Sequence, residues 1–94
     1  MEEKKAGLSE PEIENEVEIG LPYKVILFND DIHSFDEVIN QLIKAISCNF
    51  DEARDLAFEA HVKGKAAVFS GELKKCLAVS SVLEEIALHT QIVS

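Results

Sequence analysis

Glycine and proline are scarce in this chain of 94 residues, at four and two. A glycine-rich phosphate loop needs several glycines at fixed spacing, so none is expected. Cysteine is scarcer still. Cys48 and Cys76 lie far apart with no CxxC between them, and they read as reduced core or boundary thiols of a cytosolic protein. Basic residues number nine against 18 acidic ones, giving a formal charge of −9. Phosphate backbones attract the opposite sign, so no nucleic-acid partner is expected. Anionic membrane is disfavoured on the same ground, and a cationic partner or ligand is permitted. No apolar run approaches the roughly 18 residues of a membrane span. The opening MEEKKAGLSEPE has no apolar segment of a signal peptide, so a cytoplasmic protein is expected. There is no HExxH, no Cys/His ligand spacing and no GxSxG elbow. Neither a resident metal or cofactor nor an enzymatic function is therefore expected.

Hydrophobic residues make up 47% of the chain, enough for one domain with a modest core. The charge is uneven. Residues 1–19 hold seven Glu and two Lys. Glu10, Glu12, Glu14, Glu16 and Glu18 alternate there with other residues, and five like charges on one side would repel in a paired strand. Residues 1–20 are read as a solvated acidic extension, closed by Gly20-Leu21-Pro22, and residues 21–94 as the folded core.

Tyr23–Phe28 (YKVILF) is β-branched and aromatic, and its continuous apolar character predicts a central, covered strand. Ser34-Phe35-Asp36-Glu37 has the capping-box form, and helical spacing from Phe35 predicts a first helix to about Ser47. Asn49 caps a second, from about Phe50 to Lys63, with Phe50, Ala53, Leu56, Ala57 and Ala60 on one face and Gly64 at its end. Lys65–Ser70 reads as a short strand. A third helix is expected from Glu72 to about Leu88, with Leu73, Leu77, Val82, Leu83, Ile86 and Ala87 inward. Thr90–Ser94 closes as a strand. The order β-α-α-β-α-β predicts a small α+β sandwich, a three-stranded sheet with three helices on one face. No coiled-coil pattern is left over, so a monomer is expected.

Between the first strand and the first helix stand Asn29, Asp30 and Asp31. Asn and Asp favour turns, so an ordinary loop is one reading. The other reading adds His61, near the end of the second helix, either as a core histidine or as a ligand group. Asp30, Asp31, His33 and His61 carry metal-ligand atoms, but their spacing matches no metal motif. As acceptors, an Asn oxygen, carboxylates and a neutral His nitrogen complement a primary ammonium, which has three donors and no acceptor. A peptide N-terminus is such a group. Phe35, Ala57 and Ala60 would border an apolar hole beside it.

YKVILFNDD followed by a helix, then EAHVKGKAAVF, resembles the ClpS family, bacterial adaptors of the Clp AAA+ protease. The likeness covers about Leu21 to Ile92, with 31 residues from Asp30 to His61. It implies an adaptor for N-degrons, substrate proteins whose first residue is Leu, Phe, Tyr or Trp, handed to the unfoldase of the protease. By position, Asn29, Asp30 and His61 would grip the α-amino group, with Asp31 supporting the loop. His33, Phe35, Val38, Ala57, Ala60 and Ile92 would line the side-chain pocket. Ala57 and Phe35 replace methionines common in the family. Glu72, with Lys74 and Lys75 nearby, would dock on the N-terminal domain of the unfoldase. The extension before Leu21 would engage the unfoldase pore. The residues also admit two other readings, an interaction domain of this fold without N-degron binding and an inhibitor that binds the unfoldase.

Overall fold

The computed structural model describes residues 22–94, and the extension expected over residues 1–20 lies outside that range. The elements run β1 (Tyr23–Phe28), α1 (Phe35–Ile46), α2 (Phe50–Lys63), β2 (Lys65–Gly71), α3 (Leu73–Glu84) and β3 (Thr90–Val93). This is the expected order. The strands form one antiparallel sheet, β2-β1-β3. Helices α2 and α3 pack on the sheet, and α1 packs against both of them.

Strand β1 is central, as its composition predicts, but only one of its faces is closed. Val25 and Leu27 are fully buried, while Ile26 and Phe28, which alternate with them, are half-buried. Period-2 alternation puts these two pairs on opposite faces. The ring of Phe28 is covered in part by His89, stacked at 4.7 Å between centroids. A register shift opposite Val25 and Ile26 leaves Val68 unpaired on β2. Ala66 and Val68, two residues apart, share the buried face of β2.

The helix starts are set locally. Ser34 Oγ accepts from Glu37 N at 3.1 Å while Glu37 Oε1 accepts from Ser34 N at 2.7 Å. Asn49 and Glu52 repeat this reciprocal pair at 2.8 and 3.2 Å. Each box satisfies two backbone donors that the first helical turn leaves without partners. Helix α1 ends one residue sooner than expected, because Ser47 adopts a left-handed conformation (φ 56°) as its C-cap. Gly64 ends α2 at φ 89°, its N–H donating to the Ala60 carbonyl at 2.8 Å. Glycine adopts that angle without the Cβ clash of other residues.

Three expectations need correction. Phe50 does not join the buried face of α2; Ala53, Ala57 and Ala60 do, and Phe50 is exposed at the first position of the helix. Helix α3 stops at Glu84 rather than near Leu88, and residue 87 turns with a left-handed Ala87 (φ 64°). The inward side of α3 is Cys76, Val79 and Leu83, whereas Leu73 and Leu77 are exposed. Apolar residues surround α3, so spacing alone admits either face, and contact with the sheet selects one. Polar ties hold that end of the helix. The Gln41 amide donates to the Val82 carbonyl at 2.5 Å, and Lys44 pairs with Glu85 at 3.0 Å. Buried Thr90 donates to Glu84 Oε2 at 2.9 Å and meets Ser80 Oγ at 2.6 Å. Cys76 is buried and Cys48 half-buried, both as free thiols. Burial pushes the Cys48 thiol pKa up.

Candidate functional site

The segment after β1 and the end of α2 are far apart in sequence and adjacent in space. The Phe28 N–H completes the β1–β3 edge by donating to the His89 carbonyl at 3.0 Å. One residue on, the Asn29 N–H donates to the Gly64 carbonyl, also at 3.0 Å. That bond fixes the Asn-Asp-Asp loop against the last turn of α2, where His61 lies. Both motifs thereby reach one cavity of about 500 Å³.

Its walls come from four places. The end of β1 supplies Leu27 and Phe28, and the loop supplies Asn29, Asp30, Asp31 and His33. Helix α1 adds Phe35 and Val38; α2 adds Ala57, Phe58, Ala60 and His61. Leu88 closes the side nearest β3. The small side chains of Ala57 and Ala60, both buried, leave space where larger residues would fill it.

Asp30 organises the loop. Its Oδ1 accepts the backbone N–H groups of Ile32 and His33, each at 2.9 Å. Its Oδ2 lies 2.7 Å from His33 Nδ1. On the far side of the ring, His33 Nε2 lies 2.5 Å from the Ile86 carbonyl. Both ring nitrogens therefore face acceptors, and only a doubly protonated imidazole donates to both. The Ile86 carbonyl, followed by the Asp30 carboxylate, raises the His33 pKa above 6.5, with Glu37 adding to it. The His33 N–H, followed by the His33 ring and the Ile32 N–H, holds the Asp30 pKa below 3.8 against a smaller opposing effect of burial. The pair thus ties the loop to the turn after α3. The His33 side chain is 10% exposed and the Asp30 side chain 25%.

Of the residues singled out from sequence, Asn29, Asp30, Asp31 and His61 meet at the cavity, together with His33, Phe35, Val38, Ala57 and Ala60. His61 is exposed rather than buried, which removes the core-histidine alternative. Ile92 is not at the cavity. Its β3 register places it opposite Val25, whereas the cavity lies at the Phe28 end of β1. His33 is a structural link as well as a wall. Four wall residues were missed. Leu27 and Phe28 carry no signal beyond their place next to Asn29. Leu88 was hidden by the over-long helix, and Phe58 falls outside the buried face of α2. Glu72, Lys74 and Lys75 are exposed at the start of α3, away from the cavity walls. Glu72 is the N-cap but makes no side-chain cap bond.

Chemically, the cavity pairs an apolar interior with acceptor-rich groups. Asn29, the two carboxylates and an unprotonated ring nitrogen of a histidine such as His61 are groups that receive hydrogen bonds from a cation, while an attached apolar side chain enters the space between Val38, Ala57, Ala60 and Leu88.

Comparison with known proteins agrees with this fold. The family model described as ATP-dependent Clp protease adaptor protein ClpS matches residues 20–91. The ClpS adapter of Nautilia profundicola is 43% identical over 60% of this chain and 60% of its own length. Human E3 ubiquitin-protein ligase UBR2 is 34% identical over 65% of this chain. The chain spans only 4% of the length of that ligase. A solved structure of Agrobacterium tumefaciens ClpS2 bound to L-phenylalaninamide superposes with a TM-score of 0.64 at 24% identity, covering 77% of this chain and 96% of the other.

Proposed function

Because this chain belongs to the ClpS adaptor family, we propose that it is an adaptor recognising protein substrates by a free, bulky hydrophobic first residue and presenting them to a Clp AAA+ unfoldase. The observation that carries this reading is the juxtaposition of an apolar cavity with Asn29, Asp30, Asp31 and His61 at one site. The α-ammonium of a substrate donates to Asn29, Asp30 and His61, and Asp31 adds negative charge beside them. The first side chain fills the space beside Val38, Ala57 and Ala60. No bond is made or broken in this role, so the chain acts as a binder rather than a catalyst. Its working place in this reading is the cytoplasm, as a monomer. No helix among the described residues is long and apolar enough to cross a membrane.

The energetics suit a releasable cargo. Burying a Leu or Phe side chain yields roughly 1.5–3 kcal/mol. Hydrogen bonds from a charged ammonium add about 1.5–3 kcal/mol each. Ordering the peptide subtracts several, so with three such bonds the net reaches at most about −8 kcal/mol, a micromolar constant.

Docking on the unfoldase falls to the exposed start of α3. Glu72, Lys74 and Lys75 supply charge there, and exposed Leu73 and Leu77 supply apolar area.

The test is fluorescence anisotropy with short labelled peptides beginning Leu, Phe, Trp or Ala, each with a free or acetylated N-terminus. Free hydrophobic peptides are expected to bind and acetylated ones to lose nearly all affinity, since acetylation removes the charge and leaves acceptors unpaired. Asp30→Ala should weaken the free peptides at least tenfold. Equal binding of free and acetylated peptides would sink the proposal.

A further inference from the structure

Seven large hydrophobic residues are exposed among the described ones, and they are not evenly spread. Phe50 stands alone at the start of α2, and Leu73 and Leu77 share the start of α3. Of the other four, two line the cavity and two adjoin residues that do. Phe35 and Phe58 line it. Val62, 62% exposed, follows Phe58 by one helical turn, so the two share a side of α2. Ile32, 86% exposed, sits on the loop between Asp31 and His33, which both line the cavity.

Scattered apolar side chains on a surface need no explanation, but a cluster beside a cavity marks a contact surface. The two sides of this one are held differently. Ile32 is presented by a fixed loop, because its N–H is bound by Asp30 Oδ1 at 2.9 Å and the loop is pinned through His33 to Ile86. Phe58 and Val62 stand on a helix capped at both ends. Neither side needs to move to meet a ligand. Phe58 is the link between cavity and rim, since it lines the one and remains 59% exposed at the other.

We infer that Ile32, Phe58 and Val62 form a shallow second subsite that selects an apolar side chain at the second residue of the bound peptide. The inference rests on the N-terminal binding reading and deepens it. The first residue occupies the cavity with its α-ammonium at the acceptors, so the second Cα lies only about 3.8 Å from the first. That distance puts the second side chain at the mouth, within reach of the rim. The third residue is carried beyond it at roughly 3.3 Å per residue. Shape and chemistry together therefore define the substrate class as two consecutive hydrophobic residues behind a free amine.

Anisotropy titrations decide the matter with four free peptides beginning Leu-Leu-Ser, Leu-Ser-Ser, Leu-Ser-Leu and Ala-Ser-Ser, and an acetylated Leu-Ser-Ser control. In the unaltered chain, Leu-Leu-Ser should bind roughly five- to tenfold more tightly than Leu-Ser-Ser, the effect of half-burying one leucine. Leu-Ser-Leu should gain less than twofold. In Phe58→Ser, Ile32→Ser and Val62→Ser, the ratio of Leu-Leu-Ser to Leu-Ser-Ser affinities should fall toward one. The ratio is the readout because it cancels any general loss in a variant. Equal affinity of Leu-Leu-Ser and Leu-Ser-Ser, a gain from the third residue instead, or an unchanged ratio in all three variants overturns the second subsite. If Leu-Ser-Ser binds no better than its acetylated form or than Ala-Ser-Ser, the N-terminal reading fails, and the subsite fails with it.

Discussion

Replacing His33 by alanine removes the ring that joins Asp30 to the Ile86 carbonyl. A hydrogen bond to a charged group contributes about 1.5–3 kcal/mol and a neutral one about 1 kcal/mol. Asp30 is a quarter exposed, so water takes up part of the loss once the ring is gone. The net cost at pH 5.5 is expected to be about 1–2 kcal/mol. For a domain of this size that corresponds to roughly 5–15 °C in Tm. The pH dependence is the sharper part. The folded pKa of His33 lies above its ordinary 6.5, so its contribution is complete below 6.5 and fades as pH rises through the folded value. The folded pKa of Asp30 lies below 3.8, so its contribution is complete above 3.8 and fades as pH falls through the folded value. The pair is therefore at full strength between pH 3.8 and 6.5. Urea denaturation of the unaltered chain and His33→Ala at pH 5.5 and pH 9 should show a stability gap that shrinks at the higher pH. With Asp30→Asn as background, that pH dependence should shrink but persist, because the Ile86 carbonyl, its largest cause, is still in place. A gap that is the same at both pH values, or larger at pH 9, refutes the imidazolium link.

Gly64→Ala places a Cβ on a residue at φ 89° with no neighbouring atom within 4 Å, so its cost is conformational alone. About 1–2 kcal/mol of stability should be lost in chemical denaturation. Leu83 is fully buried, and Leu83→Ala should cost about 2–5 kcal/mol through lost burial and a residual cavity. The same measurement on Leu77→Ala should give well under 1 kcal/mol, because Leu77 is exposed; equal costs would contradict the observed face of α3. Ala57→Met should narrow the range of first residues, lowering affinity for Trp and Ile peptides relative to Leu. An unchanged ranking in anisotropy titrations would remove Ala57 from the side-chain pocket.

How much of this was legible beforehand depends on the range of the interaction. The capping boxes at Ser34 and Asn49 and the stop at Gly64 were readable because each device acts within one turn of its own residue. The acceptor cluster was readable because Asn29, Asp30 and Asp31 are consecutive, and His61 near the end of the second helix was its candidate partner before the resemblance assigned it the same role. The missing pieces are all contacts between distant segments. Nothing near His33 announces that Ile86 will stand behind its ring. Nothing in the polar spacing around Phe58 announces a cavity beside it. The register of β3, set by pairing with β1, moves Ile92 away from the site.

By itself the sequence determined the order of the six elements, most of their ends, and the chemical character of the loop after β1. Those follow from short-range forces, namely hydrophobic period, capping and the conformational freedom of glycine. Tertiary structure alone decided which apolar side of α3 turns inward, where that helix stops, and which side chains surround the cavity. Helix α3 is apolar on several sides, so the choice falls to whichever face fits the sheet. The loop and the end of α2 meet at the cavity where the Asn29 N–H donates to the Gly64 carbonyl at 3.0 Å, a bond between segments that the pairing of β1 with β2 brings together.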